Sequence, residues 1–181
     1  MKITPLKLKG TYLITLSPTR DERGYFMRCW DRALAAESGM VTDWMQENES
    51  FNHRRGTLRG LHFQMPPHPE TKLVRVSAGT VFDVFVDLRK DSETYGNWDA
   101  VELSSANLRL VYIPKGFAHG YCTLTDNAVV VYKVDEEYVS DSQRGLRWDD
   151  PTLGIRWPID NPMMSPRDKS LPAFDKFEPP F

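Results

Sequence analysis

The stretch from Arg55 to Val76, RGTLRGLHFQMPPHPETKLVRV, places His62 and Lys72 ten residues apart in segments that read as strand. Strand interiors are mostly apolar, so an imidazole and an ammonium there call for a reason. A neutral imidazole, with an ordinary pKa of about 6.5, removes a proton near neutral pH when a carboxylate orients its other nitrogen. Removing a proton beside a ketone leaves an enolate, and its oxygen needs a nearby cation or hydrogen-bond donor. Lysine fits that need. Returning a proton to the opposite face inverts the carbon and requires a second acid, such as tyrosine. Histidine, aspartate, lysine and tyrosine therefore suffice for epimerisation through an enolate. Almost any chain contains all four, so chemistry alone does not select the residues.

His119 also sits beside turn residues, in IPKGFAHGY. The pattern Pro-x-Gly-x-x-His resembles the second motif of the cupin barrels, where the histidine often binds a metal. The first cupin motif generally supplies His-x-His and a glutamate. Here it reads His62-Phe63-Gln64, and two histidines fall short of three protein ligands. Glu70, in a proline-rich turn, is poorly spaced to be the third. The expectation is a site without metal.

The elements that must carry these residues are mostly short strands between Gly, Pro, Asn and Asp. DRALAAESG reads as a helix of about two turns, with Asp31 as N-cap and Gly39 as its stop. KLVRV, SAG and TVFDVFVDLR read as a hairpin, followed by AVELSS, LRLVYIP and NAVVVYKV. Such a series predicts a β-sandwich or barrel. In TVFDVFVDLR, Phe82, Val84, Val86 and Leu88 share one face, which should be core. Val81, Asp83, Phe85 and Asp87 share the other, which suits either a polar cavity or a solvated surface. In NAVVVYKV, Val130, Tyr132 and Val134 share a face. Parity leaves Tyr132 as a packing residue or a catalytic one. The proline-rich tail from Asp160 is expected to wrap over the body.

The chain has 181 residues, enough for one domain, 1–181, with an N-terminal arm and that tail. A net charge of -2 gives no broad reason to expect nucleic acid or an acidic membrane as partner. Cys29 and Cys122 have no metal-like spacing and suggest a reducing compartment without disulfides. No apolar run approaches the ~18 residues of a membrane span, and MKITPLKLKGTYLITL lacks the pattern of a signal peptide. The protein is expected in the cytoplasm.

Several motifs agree in order and spacing. RGLHFQ, KLVRV, DVFVDLRKDSETYGNW, IPKGFAHGY, YKVDEEY and WDDPTLGIRWP resemble the dTDP-4-dehydrorhamnose 3,5-epimerase family, as do DERGYF and SPRD. The resemblance implies a mainly β, cupin-like jelly-roll barrel with a few short helices, a homodimer, and no metal or other cofactor. It implies epimerisation of a nucleotide-linked 4-keto-6-deoxyhexose at the carbons flanking its ketone. By the same resemblance His62 is the general base, Asp168 its orienting carboxylate, Tyr132 the proton donor and Lys72 the enolate stabiliser. Arg59 and His119 match contacts to phosphate or sugar, and Gln46 and Asn48 match a nucleoside-contacting stretch. Arg23 matches a phosphate contact reaching in from the dimer partner. Arg167 stands where the family often has a substrate-binding lysine. Tyr138 lies near the site, and Asp83 becomes a cavity residue that restrains a histidine or meets the sugar. His53, His68, Asp87 and Lys133 match no role and read as surface or structural.

The transfer carries its own geometric condition. Arg59 and His62 are three apart, so a regular strand would turn them to opposite faces. Both can enter one cavity only if the backbone is irregular at Gly60. The chain also departs from the family pattern at the nucleotide end. Arg28 and Gln143 stand where the family often has glutamate, a change in what can be recognised there. That pattern fits a CDP-linked hexose, or dTDP held by different contacts. Competing readings are inversion at a single carbon, a ketoisomerase, a non-catalytic sugar-binding cupin and a metal-dependent cupin oxygenase.

Overall fold

A computed structural model describes residues 1–181. Its strands are β1 (Lys2–Pro5), β2 (Tyr12–Thr15), β3 (Thr19–Asp21), β4 (Gly24–Phe26), β5 (Gln46–Asn52), β6 (Leu58–Gln64), β7 (Lys72–Ala78), β8 (Thr80–Asp87), β9 (Trp98–Ser104), β10 (Arg109–Ile113), β11 (Phe117–Thr123), β12 (Ala128–Val134) and β13 (Gln143–Gly145). Two short helices, α1 (Arg32–Glu37) and α2 (Pro166–Lys169), complete it. One antiparallel sheet has the order β1-β2-β10-β7-β12-β5 and the other β13-β6-β11-β8-β9, with β3 and β4 forming a separate hairpin. The two sheets face each other as a cupin-like jelly-roll barrel.

Helix α1 forms where its caps allow. The Asp31 carboxylate accepts hydrogen bonds from the Ala33 and Leu34 N–H groups, and Gly39 takes φ +70 just past the last turn. The helix lays Ala35 on the outer face of the six-stranded sheet, among Ile14, Leu73, Leu110 and Tyr112.

The expected hairpin of β7 and β8 does not form. β7 lies between β10 and β12, whereas β8 lies between β11 and β9, in the opposite sheet. Gly79 is the corner at which the chain changes sheets. It has φ +76, and a Cβ there would come within 2.5 Å of Thr125 Oγ1 and 3.0 Å of Ala128 Cα. A short Gly-containing link between two strands reads as a hairpin because sequence shows adjacency along the chain, not within a sheet.

Both faces of β8 are buried, against different partners. Val81 and Phe85 join Val74, Val111, Ile113 and Val130 between the sheets. Val84, Val86 and Leu88 face outward, beneath Trp157, Phe174, Phe177 and Phe181. The later part of the chain thus covers an apolar face that would otherwise meet water, where each buried Phe or Leu contributes about 2 kcal/mol.

Asp87, read from sequence as surface or structural, is fully buried. It accepts hydrogen bonds from Arg89 Nε at 2.8 Å and Nη2 at 2.7 Å, and from the Ser92 and Thr94 hydroxyls at 2.6 and 2.7 Å. Burial pushes its carboxyl up, but these bonds outweigh burial and hold it below the ordinary carboxylate range. A depressed folded pKa gives stability that is present above the unfolded value, about 3.9, and lost as pH falls through the folded value. Asp87→Asn should therefore cost about 3 kcal/mol at both pH 7 and pH 5. The gap from the parent should shrink below about pH 4. Urea titrations at these pH values measure it, and a gap that widens on acidification contradicts the assignment.

Candidate active site

A cavity of about 550 Å³ opens between the sheets. The five-stranded sheet sends in Arg59 and His62 from β6, and His119 and Tyr121 from β11. The six-stranded sheet sends in Ser50 from β5, Lys72 from β7 and Tyr132 from β12. Met163, Met164, Ser165, Arg167 and Asp168 close the remaining side.

The strand β6 meets the geometric condition set by sequence. Against β11, His62 pairs with His119 and Arg59 with Tyr121, so two residues on β6 oppose the single Gly120. This bulge turns both Arg59 and His62 into the cavity while Leu61 packs on the outer face. Gly60 has φ +123, and a Cβ on it would lie 2.6 Å from Gly120 Cα and 2.8 Å from the His119 carbonyl oxygen. Gly60→Ala should cost more than about 3 kcal/mol, the sum of backbone strain and collision. Gly24→Ala is the control, since Gly24 has φ +129 but nothing within 4 Å of its Cβ position. Its cost should be that of strain alone, about 1–2 kcal/mol. Equal losses in urea denaturation would show that the close approach to β11 has no weight.

The imidazole of His62 is held by a carboxylate distant in sequence. Its Nε2 lies 2.8 Å from Asp168 Oδ1, and Asp168 Oδ2 accepts the Gly60 N–H at 3.3 Å. Helix α2 delivers Asp168. Ser165 caps it, accepting the Asp168 N–H at 3.0 Å, and Pro166 starts it. The segment before α2 is pinned to β6, where Leu58 N–H donates to the Met163 carbonyl and Met163 N–H to the Gly56 carbonyl. Burial pushes the Asp168 carboxyl up, but the His62 bond and charge, the Gly60 N–H and Ser165 hold it below the ordinary range. Asp168 is therefore an acceptor, His62 Nε2–H donates to it, and Nδ1 is left as the basic nitrogen.

A second imidazole–carboxylate pair stands beside the first. His119 Nε2 lies 2.9 Å from Asp83 Oδ2. Asp83 does not line the cavity. It is fully buried behind His119, and its Oδ1 has no hydrogen-bond partner. Of the two roles expected for it, restraint of a histidine matches the structure. Lys72 Nζ lies 3.1 Å from Glu70 Oε1, with both side chains largely buried. Lys72 pairs with Val134 and Val74 with Tyr132 across β7 and β12, so Lys72 and Tyr132 are diagonal neighbours on one face. Tyr132 and His62 come from opposite sheets and meet the same cavity.

The expected nucleotide contacts are divided. Gln46 and Asn48 share a face of β5 with the cavity residue Ser50 but lie beyond the cavity wall. Gln46 Oε1 accepts the Tyr138 N–H at 3.1 Å, and the Tyr138 hydroxyl donates to Gln143 Oε1 at 2.7 Å. Tyr138 thereby links Gln46 on β5 to Gln143 on β13. Arg23 and Arg28 are not in the cavity of their own chain. Arg23 pairs with Asp21 at 2.6 Å at the tip of the exposed β3–β4 hairpin, and Arg28 pairs with the helix cap Asp31 at 2.7 Å. The reason is chain geometry, because the hairpin projects from the barrel as a separate two-stranded unit.

Sequence reading missed Ser50 and Tyr121. Parity held the signal for both, since Tyr121 lies two residues after His119 on β11 and Ser50 two after Asn48 on β5. Burial pushes the Tyr121 phenol up, so it stays a proton-bearing donor. No three His, Cys, Asp or Glu side chains are grouped so as to hold a metal ion.

Fold and cavity together define a class, a cupin-like barrel whose lumen sets two histidine–carboxylate pairs opposite a lysine and a phenol. The family model described as dTDP-4-dehydrorhamnose 3,5-epimerase matches residues 5–176. A relative of that name from Methanothermobacter thermautotrophicus is 46 % identical over 166 residues, covering 90 % of this chain and 89 % of its own. The crystal structure of the Bacillus anthracis enzyme with TDP and pyrophosphate bound superposes with a TM-score of 0.93 at 40 % identity, covering 96 % of this chain and 99 % of that one. The Legionella pneumophila enzyme in complex with dTDP-4-keto-L-rhamnose gives 0.93 at 36 % identity, covering 98 % and 94 %. The chain belongs to the dTDP-4-dehydrorhamnose 3,5-epimerase family and is by that membership an isomerase.

Proposed function

We propose that this single-domain protein inverts carbons 3 and 5 of a dTDP-linked 4-keto-6-deoxyhexose. The observation that supports it most is the placement of His62, backed by Asp168, and Tyr132 on opposing walls of one cavity. His62 Nδ1 takes the proton from the carbon beside the ketone. The enolate oxygen is neutralised by Lys72, whose charge is held in place by Glu70. Tyr132 gives its phenolic proton to the opposite face, and the configuration inverts. Solvent then returns a proton to Tyr132 and removes one from His62, so the turnover balances. His119, fixed by Asp83, hydrogen-bonds the sugar, while Arg59 and Arg167 take the phosphates. Gln46, Asn48, Tyr138 and Gln143 meet the nucleoside beyond the cavity wall.

The same reading makes the protein a homodimer. Arg23 and Arg28 lie outside their own cavity, and the hairpin beside them exposes Tyr25 and Phe26, the latter 76 % accessible. Docking that hairpin against a second copy would bring both arginines to the partner's nucleotide. The compartment is the cytoplasm, in keeping with two free cysteines. No helix is long and apolar enough to cross a membrane.

The test is incubation with the dTDP-linked keto sugar in heavy water, read by NMR. Deuterium should appear at both carbons with inverted configuration. Label at carbon 3 alone would make the protein a mono-epimerase, and no label at either would end the proposal. A CDP-linked sugar run in parallel should react at least about tenfold less efficiently.

A further inference from the structure

Arg59 lines the cavity with its guanidinium, yet its side chain makes one hydrogen bond within the chain. Nε donates to Asn52 Oδ1 at 2.9 Å, which leaves both terminal nitrogens for a ligand. Asn52 ends β5 and is 2 % exposed. Its Nδ2 donates to the carbonyls of Ser50 and Ala128 at 3.1 Å each, and lies 3.4 Å from the Tyr121 hydroxyl. With Nδ2 committed to two carbonyls, the amide can turn only its oxygen toward Arg59. A carboxylate there would also hold the arginine but would offset its charge, whereas a neutral amide orients without neutralising.

We infer that Asn52 is a positioning residue that aims the terminal nitrogens of Arg59 at an anionic group of the substrate, the diphosphate of a nucleotide sugar. The inference rests on the function proposed above. It extends that reading to a side chain that never meets the substrate. Arginine has many rotamers, and one fixed by Nε loses less freedom when it grips phosphate with the other two nitrogens. Arg59 itself stays paired with Tyr121 in the ladder, so its backbone is fixed and the brace acts on the side chain.

A double-mutant cycle tests it. Asn52→Leu should raise both KM and the dTDP dissociation constant about tenfold, with kcat within about threefold of the parent. In an Arg59→Ala background the same substitution should alter dTDP affinity less than about twofold, since the group it aims is gone. Equal losses of affinity in the two backgrounds would mean that Asn52 supports the fold alone, and would overturn the inference. Asn52→Ser carries the same cycle if the leucine variant does not fold. A parent protein that binds dTDP but places no deuterium in the sugar would defeat the epimerase reading, while the cycle in dTDP affinity would still decide this one.

Discussion

His62→Ala should abolish deuterium incorporation at both carbons, with a fall in kcat of about 10³-fold or more. That corresponds to roughly 4 kcal/mol of transition-state stabilisation. The size follows from how completely the cavity commits to this imidazole. His119, the other ring nearby, projects from a different strand and in the proposed function holds the sugar by a hydrogen bond, so it does not replace the missing base. The affinity for dTDP should stay within about threefold, because the proposed function has His62 meet the sugar and leaves the phosphates to Arg59 and Arg167. Asp168→Asn is the companion. An amide can offer its NH2 to the ring and favour the tautomer with the proton on the wrong nitrogen, so activity should fall about 10²-fold or more without loss of binding. If His62→Ala retains exchange at either carbon above one tenth of the parental rate, the base lies elsewhere.

Tyr132→Phe should separate two events that the parent couples. The substitution deletes one hydroxyl and leaves the ring packed where it is, against the apolar cluster between the sheets. His62 can still remove a proton and return one to the same face, so label should continue to enter without inversion. Inverted product should fall by about 10²- to 10³-fold. NMR distinguishes retained from inverted deuterated sugar in one sample. Undiminished inversion would move the acid role to another group, and Tyr121, a second phenol in the cavity, is the first to examine.

Much of this architecture is legible in the residues themselves. Helix α1 could be read because its signals are local, with Asp31 binding the first N–H groups and Gly39 ending the turn. The irregularity at Gly60 could be read because two residues three apart had to face the same way. The partnership of β7 and β8 was misread because side-chain period reports faces, while sheet membership depends on a corner at Gly79. The apolar face of β8 is core, as its pattern indicates, but no local pattern says that it lies outside the barrel beneath Trp157, Phe174 and Phe177. Motif resemblance placed His62, Lys72, Tyr132 and Asp168 in one site, and all four line the cavity. It assigned Arg23 to a partner's site and Arg28 to the nucleotide end, and both lie outside their own cavity, each paired with an acidic neighbour.

One contact bears on the protein's life before it is finished. All thirteen strands precede Asp168 in the chain, and 106 residues separate it from the ring it holds. Until α2 docks, the His62 ring lacks the carboxylate that orients it. Proteolytic loss of the segment from Ser165 onward would free that ring, and would also take Arg167 from the cavity and Phe174, Phe177 and Phe181 from the outer face of β8. The aim of the base thus depends on a segment that follows every strand of the barrel in the chain.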